Sequence, residues 1–559
     1  MTAPFTQGGL WPVRYTNSAI NWNLFYKTVG IIYSVWYDKE NILLGGIHMF
    51  DLIIKNATVI DGTGKAAYRA DVAVQDGKIA CIAGCIEGGK KVIDATGLTV
   101  TPGFFDAHSH SDMNCLSNPE QTEKGEQGVT TSISGQCGQS PYPLRRETPL
   151  DDTLQGKYET FGQFMEKAKT VPQGSNEVIY IGHGRLRRTV IGMDKRQPTE
   201  AELEEMKALV RDAMEHGALG ISFGLVYTPS CYAEKEELIE LCKVVAEYNG
   251  IAAAHLRNEA DTVIEAVAEF LEVLKASKVR GVISHHKAMF KQNHGKINTT
   301  LDMIQKAIDE GVEVYCDVYP YIASGTTLES RFIPDQYRQG PDKLRAFLSD
   351  PQIVAQIKEQ NLAKWGADLS WVLVNVCPSH PEFLGKTMNE VAEILGMDTF
   401  DAVYELLRQD AGAVSCTFFA MSEKDVEKVM RFPRTMICTD SRAPGQKSQH
   451  HPRLRGSFPR ALGVYVRERK VLSLEEMIHR MTDMPATYFG VKNKGRVEVG
   501  YDADLCIFDA ERIIDKCDFT DCLAHAEGLN YVLVNGQIVA KDAYHTGARP
   551  GKVITDLAR

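Results

Sequence analysis

Apolar runs alternate with amphipathic helical patterns through the middle of the chain. Eight of these runs are candidate strands, and they end at His110, Cys137, His183, Leu225, Leu256, Lys287, Pro320 and Asp440. One helical pattern between them begins at Thr199, has Glu202 three residues later as in a capping box, and ends at Gly217. Eight strands joined by crossover helices predict an α/β fold, a (β/α)8 TIM-like barrel whose functional residues lie at the carboxyl ends of its strands.

Both ends of the chain have a β pattern instead. Asp76-Gly77 and Asn535-Gly536 each separate two short apolar runs, which is typical of a type I′ hairpin. We therefore expect a small β-sandwich domain built from both termini, residues 49–103 and 488–559, and a catalytic barrel over residues 104–487.

Two segments lie outside this plan. The segment from about residue 325 to residue 415 is too long for one crossover and predicts a lid-like insertion over the barrel mouth.

Residues 1–48 lack the basic start and apolar core of a signal peptide, and Met49 directly precedes the strand-like run Phe50–Lys55. We expect Met49 to be the true start and residues 1–48 to be an extraneous extension. The alternative is an N-terminal arm that packs on the surface.

Composition and charge narrow the range of partners. The 559 residues are 44% hydrophobic and 24% charged, as in globular proteins. A net charge of −11 argues against a nucleic-acid or an anionic-membrane partner, and no run approaches the ~20 apolar residues of a membrane span. The 13 cysteines show no Cys-x-x-Cys spacing, which favours reduced thiols and a cytoplasmic location. The sequence leaves the oligomeric state open.

Two histidines close the first of the eight runs. His108 and His110 are two residues apart, so in a strand both side chains point to the same face and could bind one metal ion, with zinc suited to imidazole. A His-x-His alone is more often two polar residues at a strand end. Here the preceding Pro102-Gly103, the acidic Asp106 and the metal-type residues farther along favour a metallohydrolase site.

A cysteine and further histidines close other runs. Cys137 lies in Gly135–Gly138, where flanking glycines let the backbone approach a ligand; a lone buried cysteine is usually inert, but a thiolate here would bind zinc strongly. His255 and His285 each close an apolar run, and each could equally be a core histidine bonded to a carbonyl. His286 faces the other side of the strand from His285, so one of this pair is a ligand, and spacing does not choose which.

Asp440 closes the eighth run. The commoner use of an aspartate in such a place is a helix N-cap or a turn. At the mouth of a metal-binding barrel, the same carboxylate is equally placed to accept a proton from a water molecule.

Together these motifs resemble one family. The chain from Met49 onward resembles the N-acyl-D-amino-acid deacylase (D-aminoacylase) family of the amidohydrolase superfamily in the segments Pro102–His110, Gly135–Gly138, His255–Glu259, Ser284–Lys287, Asp317–Tyr321, Asp440 and Pro452-Arg453. The first segment alone indicates only the superfamily. The cysteine, the Ser-His-His-Lys motif and the Tyr-Pro-Tyr motif narrow the resemblance to the deacylase family. The resemblance implies zinc-dependent hydrolysis of N-acyl-D-amino acids to a carboxylate and a free D-amino acid.

The resemblance also implies roles for single residues. A tightly bound zinc ion would be held by Cys137, His255 and His285. A second, weaker site would be lined by His108 and His110. Asp440 would act as the general base and then as the general acid.

Substrate binding would involve Tyr227, Lys287, Tyr319 and Arg453 by the same resemblance. Arg453 could be a fork for the substrate carboxylate and Lys287 a point charge beside it, with a solvated surface charge as the alternative for both. The two tyrosines could equally be core aromatics. Gln136 departs from the Asn expected of the family, although a longer amide keeps the hydrogen-bonding capacity.

Two rival functions remain to be weighed. A cyclic-amide hydrolase of the hydantoinase or dihydroorotase type would bridge two metals with a carboxylated lysine at strand four, and Ala218–Leu225 contains no lysine. A non-catalytic barrel kept as an interaction protein would have lost metal ligands, whereas each expected ligand is present here. A small-molecule N-acyl amino acid is thus the expected partner, and its preferred acyl group and side chain stay open.

Overall fold

The computed structural model describes residues 49–144, 158–442 and 451–558. The expectation for residues 1–48 lies outside these ranges. The described chain begins with five strands: β1 (Leu52–Val59), β2 (Tyr68–Gln75), β3 (Lys78–Ala83), β4 (Val92–Asp94) and β5 (Thr99–Pro102). Asp76 and Gly77 have φ values of 50° and 75°, the left-handed backbone that a type I′ turn needs between β2 and β3.

Parallel strands then build the barrel. Its first seven positions are β6 (Phe104–Asp106), β7 (Val129–Ser134), β8 (Asn176–Ile179) continuing as β9 (Ile181–Gly182), β10 (Gly220–Gly224), β11 (Ile251–His255), β12 (Arg280–Ile283) and β13 (Val314–Val318). Neighbouring positions pair in parallel from β6 to β13. Nearly all residues of these strands are buried, as expected of a sheet covered on both faces.

Helices connect the barrel strands. They are α1 (Thr122–Gly125), α2 (Phe161–Ala168), α3 (His183–Val190), α4 (Glu200–Glu215), α5 (Lys235–Glu247), α6 (Val263–Ser277) and α7 (Lys296–Asp309). The predicted capping box begins α4, because Glu202 N donates to Thr199 Oγ1 at 3.3 Å and Thr199 N donates to Glu202 Oε2 at 2.7 Å. The apolar face of α4 buries Met206, Val210 and Met214.

An insertion separates β13 from the last barrel strand. Its strands are β14 (Ser324–Thr327), β15 (Val372–Val376) and β16 (Ser415–Phe418), and its helices are α8 (Glu329–Phe332), α9 (Pro341–Leu348), α10 (Pro351–Trp365), α11 (Met388–Leu395) and α12 (Thr399–Gln409). The middle strand, β16, pairs antiparallel with both β14 and β15. The insertion therefore has a sheet of its own.

Helix α13 (Glu423–Arg431) leads to β17 (Thr435–Ile437), which closes the barrel. On one side β17 pairs in parallel with β13. On the other, Ala107 N donates to Ile437 O at 3.3 Å and Asp440 N donates to His108 O at 2.8 Å, which joins the first strand to the last. The predicted eight-stranded barrel is confirmed.

The barrel strands end earlier than the sequence pattern predicts. β7 ends at Ser134 and β17 at Ile437, before the predicted ends at Cys137 and Asp440. Gly135, directly after β7, has a left-handed φ of 78°, which ends the extended backbone there, and Cys137 and Asp440 themselves have φ values of 55° and 50°. The candidate site side chains therefore stand in loops just beyond the strand ends.

The C-terminal part contains α14 (Arg453–Arg460), which continues as a π-helix over Ala461–Glu468, then α15 (Leu474–Met481), α16 (Asp483–Tyr488), β18 (Leu505–Phe508), β19 (Leu529–Val534), β20 (Gln537–Lys541) and β21 (Tyr544–His545). Because β18 pairs with β5, strands from both ends of the described chain form one nine-stranded sheet. Ile54, Val72 and Leu505 share its hydrophobic core. In the described ranges, no helix has both the length and the apolar composition needed to cross a membrane.

Candidate functional site

The predicted metal ligands converge at the carboxyl end of the barrel. His255 is the last residue of β11, and the others follow β6, β7 and β12: His108, His110, Cys137 and His285. Their ligand atoms form two groups that share Cys137, one with His255 and His285 and one with His108, His110 and Asp440. Within each group all ligand atoms lie within 4.8 Å of one another, close enough to bind a single ion.

Cys137 is the centre of this arrangement. Its Sγ lies 3.3 Å from His108 Nε2, 3.6 Å from His255 Nδ1 and 3.4 Å from His285 Nε2. Burial opposes ionisation of this thiol, but His108 and His285 outweigh burial and hold the pKa of Cys137 well below its ordinary value. At Cys438, by contrast, burial raises the pKa of the thiol. Cys137 is thus prepared to bind as a thiolate.

The backbone at Cys137 depends on two glycines. A Cβ added at Gly224, the last residue of β10, would lie 2.0 Å from Cys137 O. One added at Gly138 would lie 2.7 Å from Gly224 N, and Gly138 also has a left-handed φ of 71°. The two loops therefore approach more closely than any side chain would allow, so these glycines serve backbone packing around Cys137. The approach of a ligand to this backbone stays a prediction.

Asp440 faces the two histidines that follow β6. Its Oδ1 lies 3.3 Å from His110 Nε2 and 3.5 Å from His108 Nε2, and its Oδ2 accepts a hydrogen bond from Arg453 Nη1 at 2.6 Å. Burial opposes ionisation, but the Arg453 guanidinium and the nearby imidazoles hold the pKa of Asp440 well below its usual range. The next described helix, α14, has Pro452 at its N-cap, so Asp440 does not cap it.

Glu259 is a functional residue that sequence analysis did not single out. Its Oε1 lies 3.0 Å from His285 Nδ1 and 2.5 Å from Lys287 Nζ, and its Oε2 lies 3.3 Å from His255 Nε2. One buried carboxylate thus lies beside the nitrogens of both imidazoles that face away from Cys137, the position from which a carboxylate can orient a metal-binding histidine. The His255-x-x-x-Glu259 spacing was the available signal, but only the fold brings His285 to the same carboxylate.

Asp317, at the end of β13, is a second such residue. Its Oδ1 accepts a hydrogen bond from His285 N at 2.7 Å and lies 3.5 Å from His108 Nδ1. Cys438 Sγ also donates to Oδ1 at 3.2 Å. One carboxylate therefore links three neighbouring strand ends and orients the His108 ring. Its sequence signal was its place in the Asp317–Tyr321 segment.

The structure separates His285 from His286, a choice that spacing left open. His285 faces Cys137, whereas His286 Nε2 lies 2.8 Å from Thr300 Oγ1 on α7. Burial and the Lys287 charge lower the pKa of His286 to about 4, so this imidazole is neutral in the core. The two neighbouring histidines therefore point to opposite sides of the chain.

The insertion contributes to the surroundings of the site through β14. Tyr227 OH lies 2.8 Å from Thr326 Oγ1, and Arg453 Nη2 donates to Gly325 O at 3.4 Å. The Arg453 guanidinium carbon lies 4.8 Å from the centroid of the Tyr319 ring. Both tyrosines predicted to bind substrate thus lie beside charged or polar groups of the site. Tyr319 is fully buried, and Tyr227 is half-buried.

Lys287 lies beside Glu259 at the candidate site. Only 4% of its side chain is exposed, and its Nζ lies 2.5 Å from Glu259 Oε1, 2.7 Å from His285 Nδ1 and 5.6 Å from the centroid of the Tyr319 ring. A buried ammonium needs a carboxylate partner to offset desolvation, and Glu259 is that partner. The binding of a substrate carboxylate by Lys287 stays a prediction.

The donor set fits zinc. Thiolate and imidazole are ligands that zinc prefers, and Cys137, His255 and His285 would supply one thiolate and two imidazoles to it. Gln136, the departure from the expected Asn, donates from Nε2 to Ala107 O at 3.3 Å. Its longer amide ties the loop after β7 to the loop after β6.

Comparison with known proteins extends this picture. The amidohydrolase family model matches residues 91–331 and 379–540. D-aminoacylase of Alcaligenes xylosoxydans xylosoxydans is 34% identical over 516 residues, which cover 91% of this chain and 98% of the relative. N-acyl-D-aspartate deacylase of the same organism is 35% identical over 513 residues, which cover 90% of this chain and 95% of the relative.

A solved structure agrees with these relatives. N-acyl-D-glutamate deacylase from Bordetella bronchiseptica, complexed with zinc and a phosphonate mimic of the tetrahedral intermediate, matches with a TM-score of 0.78 and 31% identity over 91% of this chain and 100% of that chain. The resemblance inferred from the motifs is confirmed. This chain belongs to the amidohydrolase family.

Proposed function

We propose that the protein is a metal-dependent deacylase that hydrolyses the amide bond of N-acyl-D-amino acids to a carboxylate and a D-amino acid. The observation that carries the proposal is Cys137, which lies between two groups of metal-type donors, one of which contains Asp440. The preference for D substrates is supported by the relatives, whose names specify D-amino acids.

The metal would be held by this chain's thiolate and imidazoles. Cys137, His255 and His285 would hold a tightly bound zinc ion, and Cys137 with His108 and His110 a second, weaker one. When bound, zinc supplies Lewis acidity, which polarises the substrate carbonyl and lowers the pKa of a water molecule to about 7.

Asp440 would move the protons of the reaction. Arg453 holds Oδ2 at 2.6 Å, so Oδ1 is the atom available to accept a proton from the attacking water and return it to the leaving amine nitrogen. Each such transfer contributes roughly 10²- to 10⁴-fold to the rate. The low pKa of Asp440 keeps the carboxylate ionised before the reaction, as a base requires.

Arg453 and the tyrosines would bind the substrate. Arg453 Nη1 is held by Asp440, but guanidinium has five N–H donors, so others can reach the α-carboxylate of the substrate. Burial raises the pKa of Tyr227 and Tyr319, which keeps both hydroxyls protonated as hydrogen-bond donors. Lys287 would act through Glu259 by holding that carboxylate against the two histidines.

A cyclic-amide hydrolase is disfavoured by the same residues. Ala218–Leu225, which contains β10, has no lysine to be carboxylated as a bridge between metals. Cys137 belongs to both donor groups, so its thiolate would offer a different bridging group.

The cysteines support a cytoplasmic location for this enzyme. No disulfide joins any pair of cysteines within the described ranges, and buried reduced thiols persist in a reducing compartment.

Metal analysis and amine release test the proposal. Purified protein should contain zinc and release a primary amine from N-acetyl-D-amino acids at a rate at least about tenfold higher than from the L enantiomers. Removal of the metal by a chelator should abolish turnover, and added zinc should restore it. Turnover of hydantoins or dihydroorotate without turnover of any N-acetyl-D-amino acid would refute the proposal.

A further inference from the structure

A second buried guanidinium lies beside the candidate site. Arg331 is in α8, only 10% of its side chain is exposed, and its guanidinium carbon lies 5.7 Å from the centroid of the Phe418 ring. Its Nη2 lies 3.0 Å from Met289 Sδ and 3.8 Å from Glu259 Oε2. Its buried Nε has no hydrogen-bond partner among the described residues.

Glu259 does not satisfy this guanidinium. The Glu259 carboxylate already serves Lys287 at 2.5 Å, His285 at 3.0 Å and His255 at 3.3 Å, whereas Arg331 stands beyond hydrogen-bond distance. The thioether of Met289 is a weak hydrogen-bond acceptor for this guanidinium. A buried permanent charge with such partners is costly unless an anion binds to it.

The position of Arg331 relates it to the proposed substrate. Met289 Sδ, which contacts Arg331, lies 3.8 Å from Ser324 Oγ, and the next residue, Gly325, accepts from Arg453 Nη2 at 3.4 Å. Arg331 itself reaches the site through Glu259, whose Oε2 lies 3.8 Å from Arg331 Nη2 and 3.3 Å from His255 Nε2. Arg453 is the group assigned above to the α-carboxylate, so Arg331 would be a second cation for an anion, separated from the metal-type donors by one carboxylate.

We propose that Arg331 binds the side-chain carboxylate of the substrate, so that the enzyme prefers N-acyl derivatives of acidic D-amino acids, aspartate or glutamate. The inference rests on the proposed deacylase function and narrows its substrate class. Overall similarity does not make this choice, because the chain is 34% identical to D-aminoacylase and 35% identical to N-acyl-D-aspartate deacylase. The preference for acidic substrates is inferred from the buried guanidinium of Arg331, which has no carboxylate at hydrogen-bond distance.

Paired substrates test this assignment. The kcat/KM values for N-acetyl-D-glutamate and N-acetyl-D-aspartate are compared with those for N-acetyl-D-glutamine and N-acetyl-D-asparagine, which have nearly the same shape without the charge. We expect the wild-type enzyme to favour the acids by about 10- to 100-fold, the range of a hydrogen-bonded charge pair. Arg331→Met should reduce this ratio to about one, mainly through KM, and Arg331→Lys should keep part of it.

The ratio of the kcat/KM values for two substrates, measured on one preparation, does not depend on how much of the variant is folded. A loss of active protein therefore cannot mimic the loss of preference for the acids. Arg345→Met removes an exposed cation from α9 and should leave the ratio unchanged. A wild-type ratio near one, or an Arg331→Met enzyme with the wild-type ratio, overturns the inference while the deacylase function stands. If the enzyme hydrolyses neither these four substrates nor any other N-acetyl-D-amino acid, both the inference and the deacylase function are wrong.

Discussion

The Oδ2 atom of Asp440 accepts a 2.6 Å hydrogen bond from Nη1 of Arg453, the first residue of α14. This contact fixes the rotamer of the carboxylate and directs Oδ1 toward His110 Nε2, 3.3 Å away. In the proposed mechanism this contact would preorganise the base before substrate binds and so lower the entropic cost of the proton transfer.

Asp440→Asn separates the catalytic role from a structural one. The amide oxygen can still accept from Arg453, so the melting temperature and zinc content should stay close to wild type. We expect kcat to fall by about 10²-fold or more and KM to change less, because the lost group acts in the transition state. Steady-state kinetics on zinc-loaded protein measure this, with Asp342→Asn on α9 as the control. A zinc-loaded variant with near-normal kcat would mean that another residue is the base.

Cys137→Ala and His108→Ala distinguish the two proposed metal sites. Cys137 belongs to both donor groups, whereas His108 belongs to one. We expect near-complete loss of bound zinc for the cysteine variant and partial retention for the histidine variant, measured as metal per protein after dialysis. The reverse order would show that the tight and weak sites have been assigned to the wrong residues.

His286→Asn and His285→Asn form a matched pair on adjacent residues. His286 bonds Thr300 in the core, so its replacement should leave stoichiometric zinc and lower the free energy of unfolding by about 1–3 kcal/mol, the cost of leaving a buried group unsatisfied. His285→Asn removes a ligand and should release zinc. Zinc analysis and denaturant melts of both variants check this, and zinc loss confined to His286→Asn would invert the assignment.

Glu177→Gln tests a pH-dependent term in stability. Burial raises the pKa of Glu177 from 4.5 to about 8, although Ser134 Oγ donates to its Oε2 at 2.6 Å. The folded state therefore holds this proton more tightly than the unfolded chain, so its contribution is fully present below pH 4.5 and is lost as pH rises through about 8. Glutamine keeps a side-chain oxygen that can accept the hydrogen bond from Ser134 but has no carboxyl group to ionise.

We expect the melting temperature of Glu177→Gln relative to wild type to rise between pH 5 and pH 8. Calorimetry of both proteins at several pH values measures the difference. Glu200→Gln, on the exposed first turn of α4, should show no such trend. A constant or falling difference for Glu177→Gln would mean that the buried carboxyl does not titrate in this range.

Much of the fold was predictable from the sequence because its signals are local. The eight barrel strands, the α4 capping box and the hairpin turn at Asp76-Gly77 depend on apolar runs, side chains three residues apart and left-handed turn residues. The candidate ligands were also recognisable by chemistry, because a cysteine between glycines and several histidines that close apolar runs occur together in one chain, although each alone has a structural alternative. Type and approximate place of each group were therefore determined by the sequence itself.

Only the tertiary structure decided how these groups act together. His108 and His110 do lie near each other, with ring centroids 5.5 Å apart, but in a loop beyond β6 and not on the strand face that the two-residue spacing implied. Glu259 lies against two imidazoles and the Lys287 ammonium, a set of contacts that the sequence pattern did not predict. These contacts join residues distant in sequence through buried electrostatics and left-handed loop backbone, and neither leaves a periodic signal along the chain.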